Sequence, residues 1–336
     1  MKTIQLAHGS GGKKMYELIK NTILAELGIN TDKGLDDAAE LHVETSRLAF
    51  TTDSFVVKPL FFSGGNIGSL AVSGTVNDLL MKGAVPKYLS LGLIIEEGFA
   101  LEDLNTILKD IKKHCDHAGV TIVTGDTKVV GKGEADGIFI NTTGVGEIIP
   151  DTHIKGSNAK PGQAVIVSGT IGEHGVAVMA KRNELELQGN IKSDAMPLTN
   201  TVLPLLETFG ASVQVLRDPT RGGVATTLNE IALDSHVEIT IDEAVLPVSP
   251  HVQAVSDLLG FDPLYLPCEG RFLALVDGNK ADDILNFLNK QDPTNKACII
   301  GTVDKETTTG GVMLTTLTGG KRVLDLPVGE LLPRIC

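Results

Sequence analysis

A cysteine closes the chain at Cys336, after Leu332-Pro333-Arg334-Ile335. Chain ends are mobile unless something ties them down, so a thiol placed there can be loaded at one site and carried into another. Prenylation requires three residues after the cysteine and is excluded; an incidental terminal cysteine fits the tail equally well. Upstream, aspartates stand beside apolar runs and turns: Asp36-Asp37, Asp53, Asn77-Asp78, and Asp126 within Thr124-Gly125-Asp126-Thr127-Lys128. Hard divalent cations take oxygen ligands, and nucleotide enzymes commonly supply a few carboxylates while phosphates supply the rest. Each aspartate alone fits a turn or helix cap. Together, at the ends of several strands, they predict one cluster.

The stretch His8-Gly9-Ser10-Gly11-Gly12-Lys13-Lys14 is glycine-rich and basic. Its backbone N–H groups suit a phosphate, with lysine as counter-charge. It lacks Walker-loop spacing, and a flexible arm would have the same composition. Gly64-Gly65-Asn66 and the glycine-rich residues 169–175 fit phosphate turns or plain strand-to-helix turns. In Asp218-Pro219-Thr220-Arg221-Gly222-Gly223, Arg221 suits a bidentate grip on an anion and the glycines permit close backbone approach; a capped helix start with a solvated arginine is the alternative. Glu269, in Cys268-Glu269-Gly270-Arg271, precedes an apolar strand where partial burial would raise its pKa and make it a base. Taken alone, it is a loop acid.

Alternating elements must position these groups. Apolar runs at 48–52, 89–95, 120–123 and 137–140 predict strands, and 67–81 and 101–117 predict helices. Leu101, Leu104, Leu108 and Ile111 give the second helix one apolar face. A polar stretch at 152–160 followed by Pro161-Gly162 predicts the seam between two domains. Beyond it, strands are expected near 164–168, 237–241, 271–276 and 297–300, with helices near 175–181, 223–234 and 281–289. The intermixed order predicts an α+β fold.

The 336 residues suit two domains. A formal net charge of -13 opposes bulk nucleic-acid binding, although a local site with metal ions still admits ATP. No apolar run approaches the roughly 18 residues of a membrane span. The N-terminus has no h-region, so a cytoplasmic protein is expected. The four cysteines, Cys115, Cys268, Cys298 and Cys336, form no C-x-x-C pair, which predicts reduced thiols.

Residues 5–12, Thr124-Gly125-Asp126-Thr127-Lys128-Val129-Val130, Asp218-Pro219-Thr220-Arg221-Gly222-Gly223 and the terminal Pro333-Arg334-Ile335-Cys336 together resemble the HypE hydrogenase maturation factors. The likeness spans the chain. These factors share a superfamily with aminoimidazole ribonucleotide synthetase and selenophosphate synthetase, and the Pro-Arg-Ile-Cys terminus singles out HypE within it. The resemblance implies a PurM-like two-domain α+β fold. Its expected parts are an arm and helix (1–40), an ATP-binding domain (41–155) whose sheet forms a homodimer interface, a C-terminal domain (156–325) and a flexible tail (326–336).

It further implies that a carbamoyltransferase, HypF, loads Cys336. ATP then drives dehydration of the thiocarboxamide to a thiocyanate, and the cyano group passes to iron on a HypC-HypD complex for [NiFe] hydrogenase. Gly9, Ser10, Gly11, Gly12, Asn77 and Arg221 are implied at the nucleotide, Asp37, Asp53, Asp78 and Asp126 at nucleotide and Mg2+, and Lys128 and Glu269 beside the carbamoyl group. The chemistry agrees: amide oxygen leaves poorly, and phosphoryl transfer makes it a leaving group. The thiol's own terminal carboxylate is expected to raise its pKa above about 8.5, with Arg334 or a partner compensating. Two rivals remain, another ATP-dependent synthetase of the superfamily and a non-enzymatic carrier or scaffold.

Overall fold

The computed structural model describes residues 3–8, 13–29, 41–185, 191–294, 296–327, 332 and 334–336. The helical run at the start comprises α1 (Lys13–Leu18), a π-helical segment (Ile19–Ile23) and α2 (Leu24–Leu27), ended by left-handed Gly28. There follow β1 (Leu48–Phe55), a small hairpin of β2 (Phe61–Phe62) and β3 (Gly65–Asn66), α3 (Ile67–Met81), β4 (Ala84–Glu96), α4 (Leu101–Ala118), β5 (Thr121–Val130) and β6 (Ile138–Ile148). The first sheet runs β1-β6-β4-β5, with β4 and β5 parallel and α4 as their crossover. α4 buries Leu104, Ile107, Leu108, Ile111 and Cys115 along one face. α3 is apolar all round and is buried accordingly, packed between the first sheet, α4 and the second half of the chain. Asn66 caps it, accepting from Gly68 and Ser69.

The second half comprises β7 (Gln163–Val167), α5 (Glu173–Arg182), α6 (Thr199–Phe209), β8 (Val213–Arg217), α7 (Gly223–Ser235), β9 (Val237–Asp242), α8 (Pro250–Leu259), β10 (Leu273–Asp277), α9 (Ala281–Gln291), β11 (Cys298–Glu306), β12 (Gly311–Thr315) and β13 (Lys321–Val323). Its sheet order is β13-β12-β9-β11-β7-β10-β8, antiparallel apart from the β9–β12 pair. One apolar core is shared by the halves, running from Val76 and Leu80 through Val202 and Leu205 to Phe272 and Ile335. A second core lies inside the C-terminal half. No helix among the described residues is long and apolar enough to cross a membrane. The four cysteines are unpaired thiols.

The structure adds elements that periodicity did not indicate: α6, β8, α8, β12 and β13. It also moves the aspartates. Asp78 lies inside α3 and Asp126 inside β5, so the expected common position at strand ends gives way to a strand, a helix and a loop.

Candidate active site

β1 presents Asp53, and α3 lies across it with Asp78 facing the same space. Thr51 Oγ1 donates to Asp78 Oδ2 at 2.8 Å, tying strand to helix. Asp218 enters from the loop after β8. Burial is the first cause that raises all three carboxyls, and Asp218 is pushed up to about 7 by enclosure and by Asp78. Arg221 opposes the shift at Asp53 and Asp78. Glu269 is 2% exposed, and its Oε1 has no hydrogen-bond partner among the described residues. Burial followed by Asp218 and Asp194 holds its carboxyl well above the usual range.

The turn at Glu269 is rigid. Its N–H donates to Asp194 Oδ1 at 3.1 Å and its carbonyl accepts from Asn77 Nδ2 at 3.0 Å. A Cβ on Gly270 would lie 1.9 Å from the Asp194 carbonyl, so only glycine fits there. Gly223, at φ +60°, brings the start of α7 against the carbonyls of Leu264 and Leu266, where a Cβ would lie 2.6 Å from each. α7 starts without a side-chain cap, with exposed Arg221 beside its first turn, an arrangement suited to phosphate.

The tail fills the remaining side. Val56 N–H donates to the Cys336 terminal oxygen at 3.2 Å and Lys58 N–H to the Arg334 carbonyl at 3.1 Å, an antiparallel register beyond the end of β1. Ile335 is 4% exposed in the shared core, burial of about 1.5–3 kcal/mol for such a side chain. Arg182 donates to the carbonyls of Lys58 and Arg334, and Arg334 pairs with Asp136 and donates to the Val56 carbonyl. Arg334 adopts a left-handed backbone, φ 52°. Arg221, Ser54, Tyr265, Ile335 and Cys336 border a pocket of about 470 Å³. The Cys336 thiol is pushed up to about 12, by burial first and then by the Glu269 carboxyl. Arg221 is the opposing cation, in place of the expected Arg334, which is engaged with Asp136 and Val56.

Of the residues expected from sequence, Asp53, Asp78, Arg221, Glu269 and Cys336 come together. Gly9, Ser10, Gly11, Gly12 and Asp37 lie outside the described residues. Asn77, expected at the nucleotide, engages its amide across the two halves: Nδ2 donates to the Met196 and Glu269 carbonyls and Oδ1 accepts from Leu198 N–H. Asp126 and Lys128 pair with each other at 2.6 Å on exposed β5. That strand is three sheet positions from β1, about 14 Å, so a single chain does not bring these two residues to Cys336. Among the described residues, no group of three or more His, Cys, Asp or Glu converges on a metal position. Asp218 stands in the same motif as Arg221, a motif whose arginine and glycines are its conspicuous features; His174 lies in the glycine-rich residues 169–175, whose pattern points to a turn, and no motif marks Asp136 or Arg182.

Comparison with known proteins places this geometry. Residues 35–148 match the N-terminal domain of AIR synthase related proteins and residues 160–313 match their C-terminal domain, so the chain is a two-domain, PurM-like protein of that class. Within it, the chain is 45% identical over 333 residues to carbamoyl dehydratase HypE of Rhizobium leguminosarum bv. viciae, covering 99% of this chain and 95% of that one. It is 44% identical to carbamoyl dehydratase HypE of Escherichia coli (strain K12), over the whole of both chains. A crystal structure of hydrogenase maturation protein HypE in complex with ATP superposes with a TM-score of 0.95 at 42% identity, covering 99% of this chain and 100% of that one. A HypE-HypF complex matches with a TM-score of 0.80 at 46% identity, covering 83% of this chain and 90% of that one. The chain belongs to the HypE family of carbamoyl dehydratases.

Proposed function

We propose that this protein dehydrates a carbamoyl group carried on its own Cys336 to a thiocyanate at the expense of ATP. The observation that carries the reading is the inserted tail, which brings Cys336 within electrostatic reach of Glu269 and onto the wall of a pocket edged by Arg221 and the start of α7. Phosphoryl transfer to the carbamoyl oxygen makes it a leaving group; C–O cleavage with loss of both nitrogen protons leaves S–C≡N, ADP and phosphate. Arg221 and the α7 N–H groups offset charge on the phosphates. Glu269, buried and of raised pKa, is placed to hold or move a proton at the carbamoyl nitrogen.

Asp53 and Asp78, whose carboxyls burial raises, are hard oxygen donors of the kind that suits Mg2+. Asp53 and Asp78 would hold it, with phosphate oxygens completing the shell; bound there, the ion neutralises phosphate charge. The ATP complex of a relative supports the nucleotide, and the HypE-HypF complex supports a HypF-type carbamoyltransferase as the loading partner. A HypC-HypD complex as cyano acceptor, for the iron of [NiFe] hydrogenase, belongs to the same reading, as does a cytoplasmic setting for four free thiols.

A homodimer also fits. The first sheet leaves Phe50 72% exposed, with Leu48 on the same face away from α3 and Ile94 exposed on that face further along β4. A second copy laid on that face would carry Lys128 and Asp126 of one chain towards the Asp53 edge of the other, giving Lys128 the substrate-side place it lacks within one chain.

The test is mass spectrometry of the C-terminal peptide after carbamoylating Cys336 with cyanate, with and without Mg2+ and ATP. Loss of one water only with ATP supports the dehydratase. A carbamoylated peptide that persists with ATP bound would overturn it and favour a carrier.

A further inference from the structure

His174 opens α5 and is completely buried, 0% exposed, though the residues around the reaction make no use of it. Its Nε2 lies 2.9 Å from the Ile335 carbonyl and its Nδ1 lies 2.8 Å from Ser193 Oγ. A carbonyl only accepts, so Nε2 carries the hydrogen. The Ala195 N–H donates to Ser193 Oγ at 3.1 Å, which leaves the serine hydroxyl hydrogen for Nδ1. The chain of donors therefore runs one way, from Ala195 N–H through Ser193 and His174 to Ile335, and requires the neutral Nε2–H tautomer. Burial, which lowers the imidazole's pKa, favours that neutral ring. Phe62 packs its ring edge-on at 5.4 Å and 90°, and Ser193 is pinned in turn by its own N–H to the Ser63 carbonyl at 2.8 Å.

The Ile335 carbonyl belongs to the peptide plane that carries Cys336. Holding that oxygen from one side, while Val56 N–H holds the terminal oxygen from the other, fixes the backbone from which the thiol projects. Loading by a separate protein requires the thiol outside, whereas dehydration requires it beside Glu269. Only the second state uses the His174 contact.

We propose that His174, its tautomer set by Ser193, is the positioning residue that registers the inserted tail, acting in dehydration and not in carbamoyl loading. The proposal rests on the dehydratase reading for its activity arm, and thiol protection tests it independently. His174→Ala, His174→Gln and Ser193→Ala are compared with the unaltered chain in two assays. One is alkylation of Cys336 followed on the C-terminal peptide; the other is single-turnover dehydration of the cyanate-carbamoylated protein.

Expected for His174→Ala is several-fold faster alkylation and dehydration slowed about tenfold, as for one lost hydrogen bond, with the KM for ATP and the rate of carbamoylation unchanged. His174→Gln, which keeps a donor near Nε2, recovers most of both, and Ser193→Ala falls between. Unchanged alkylation in a folded His174→Ala protein overturns the proposal, as does an equal loss of loading and dehydration. If the unaltered chain itself fails to dehydrate, the functional reading falls while alkylation still decides the seat.

Discussion

The side-chain amide of Asn77 donates to the main-chain carbonyl of Glu269 at 3.0 Å, so the helix of one half holds the acid of the other. The same amide also meets Met196 and Leu198, which makes the placing of Glu269 and the docking of the halves one event. Asn77→Ala leaves two carbonyls and one N–H without their partner. It should destabilise the protein by about 2–4 kcal/mol in urea unfolding and slow dehydration further than stability alone explains.

Stability should depend on pH in an unusual direction. Asp218 keeps its proton in the folded protein up to about 7, whereas the unfolded chain loses it near the ordinary carboxyl value of 3.8. The folded state therefore binds more protons between those values, and stability is present at low pH and declines as pH rises through that window. Asp218→Asn should flatten this decline in unfolding curves at pH 5 and 8, and Mg2+ should stabilise the unaltered protein more at pH 8 than at pH 5.

Arg221 is exposed and packs into neither core, so Arg221→Ala should leave the unfolding midpoint nearly unchanged. A lost charge-assisted contact to phosphate should weaken ATP binding about 10- to 100-fold, read by calorimetry. Equal affinity would remove Arg221 from the nucleotide.

Lys128 offers a test of assembly. Its ion pair with Asp126 is 61% and 63% exposed, worth well under about 1 kcal/mol, so Lys128→Ala should fold normally yet dehydrate poorly. Mixing it with Cys336→Ala should restore dehydration on the intact tails if Lys128 acts across a dimer. Failure of the mixture, with dimers confirmed by light scattering, would show that Lys128 serves its own chain, and an unimpaired Lys128→Ala protein would place it outside the reaction.

What was legible in sequence followed the strength of local pattern. α4 shows one apolar face at helical spacing and is predicted almost to its ends, and α3, apolar all round, is predicted over its full length. α6 hides behind Pro204, and β8 is too short to stand out beside it. The motifs supplied Asp53, Asp78, Arg221, Glu269 and Cys336. Which acids meet was not legible, because Asp126 and Asp53 look alike in sequence and differ only in which edge of one sheet they occupy. Asn77 and His174 sit within stretches whose motifs point to phosphate or nucleotide; the contacts they make here exist only once the second half and the tail fold back onto them.

The left-handed backbone of Arg334 bears on turnover. A non-glycine residue held at positive φ costs of order 1–3 kcal/mol, set against the burial of Ile335 and the bonds to Val56 and Lys58. That strain offsets part of what docks the tail. A substrate tethered to its own enzyme has no product release in the ordinary sense, since each cycle must end with the same terminal residues leaving the way they came. The bend before Cys336 tilts that balance towards departure and keeps the traffic two-way.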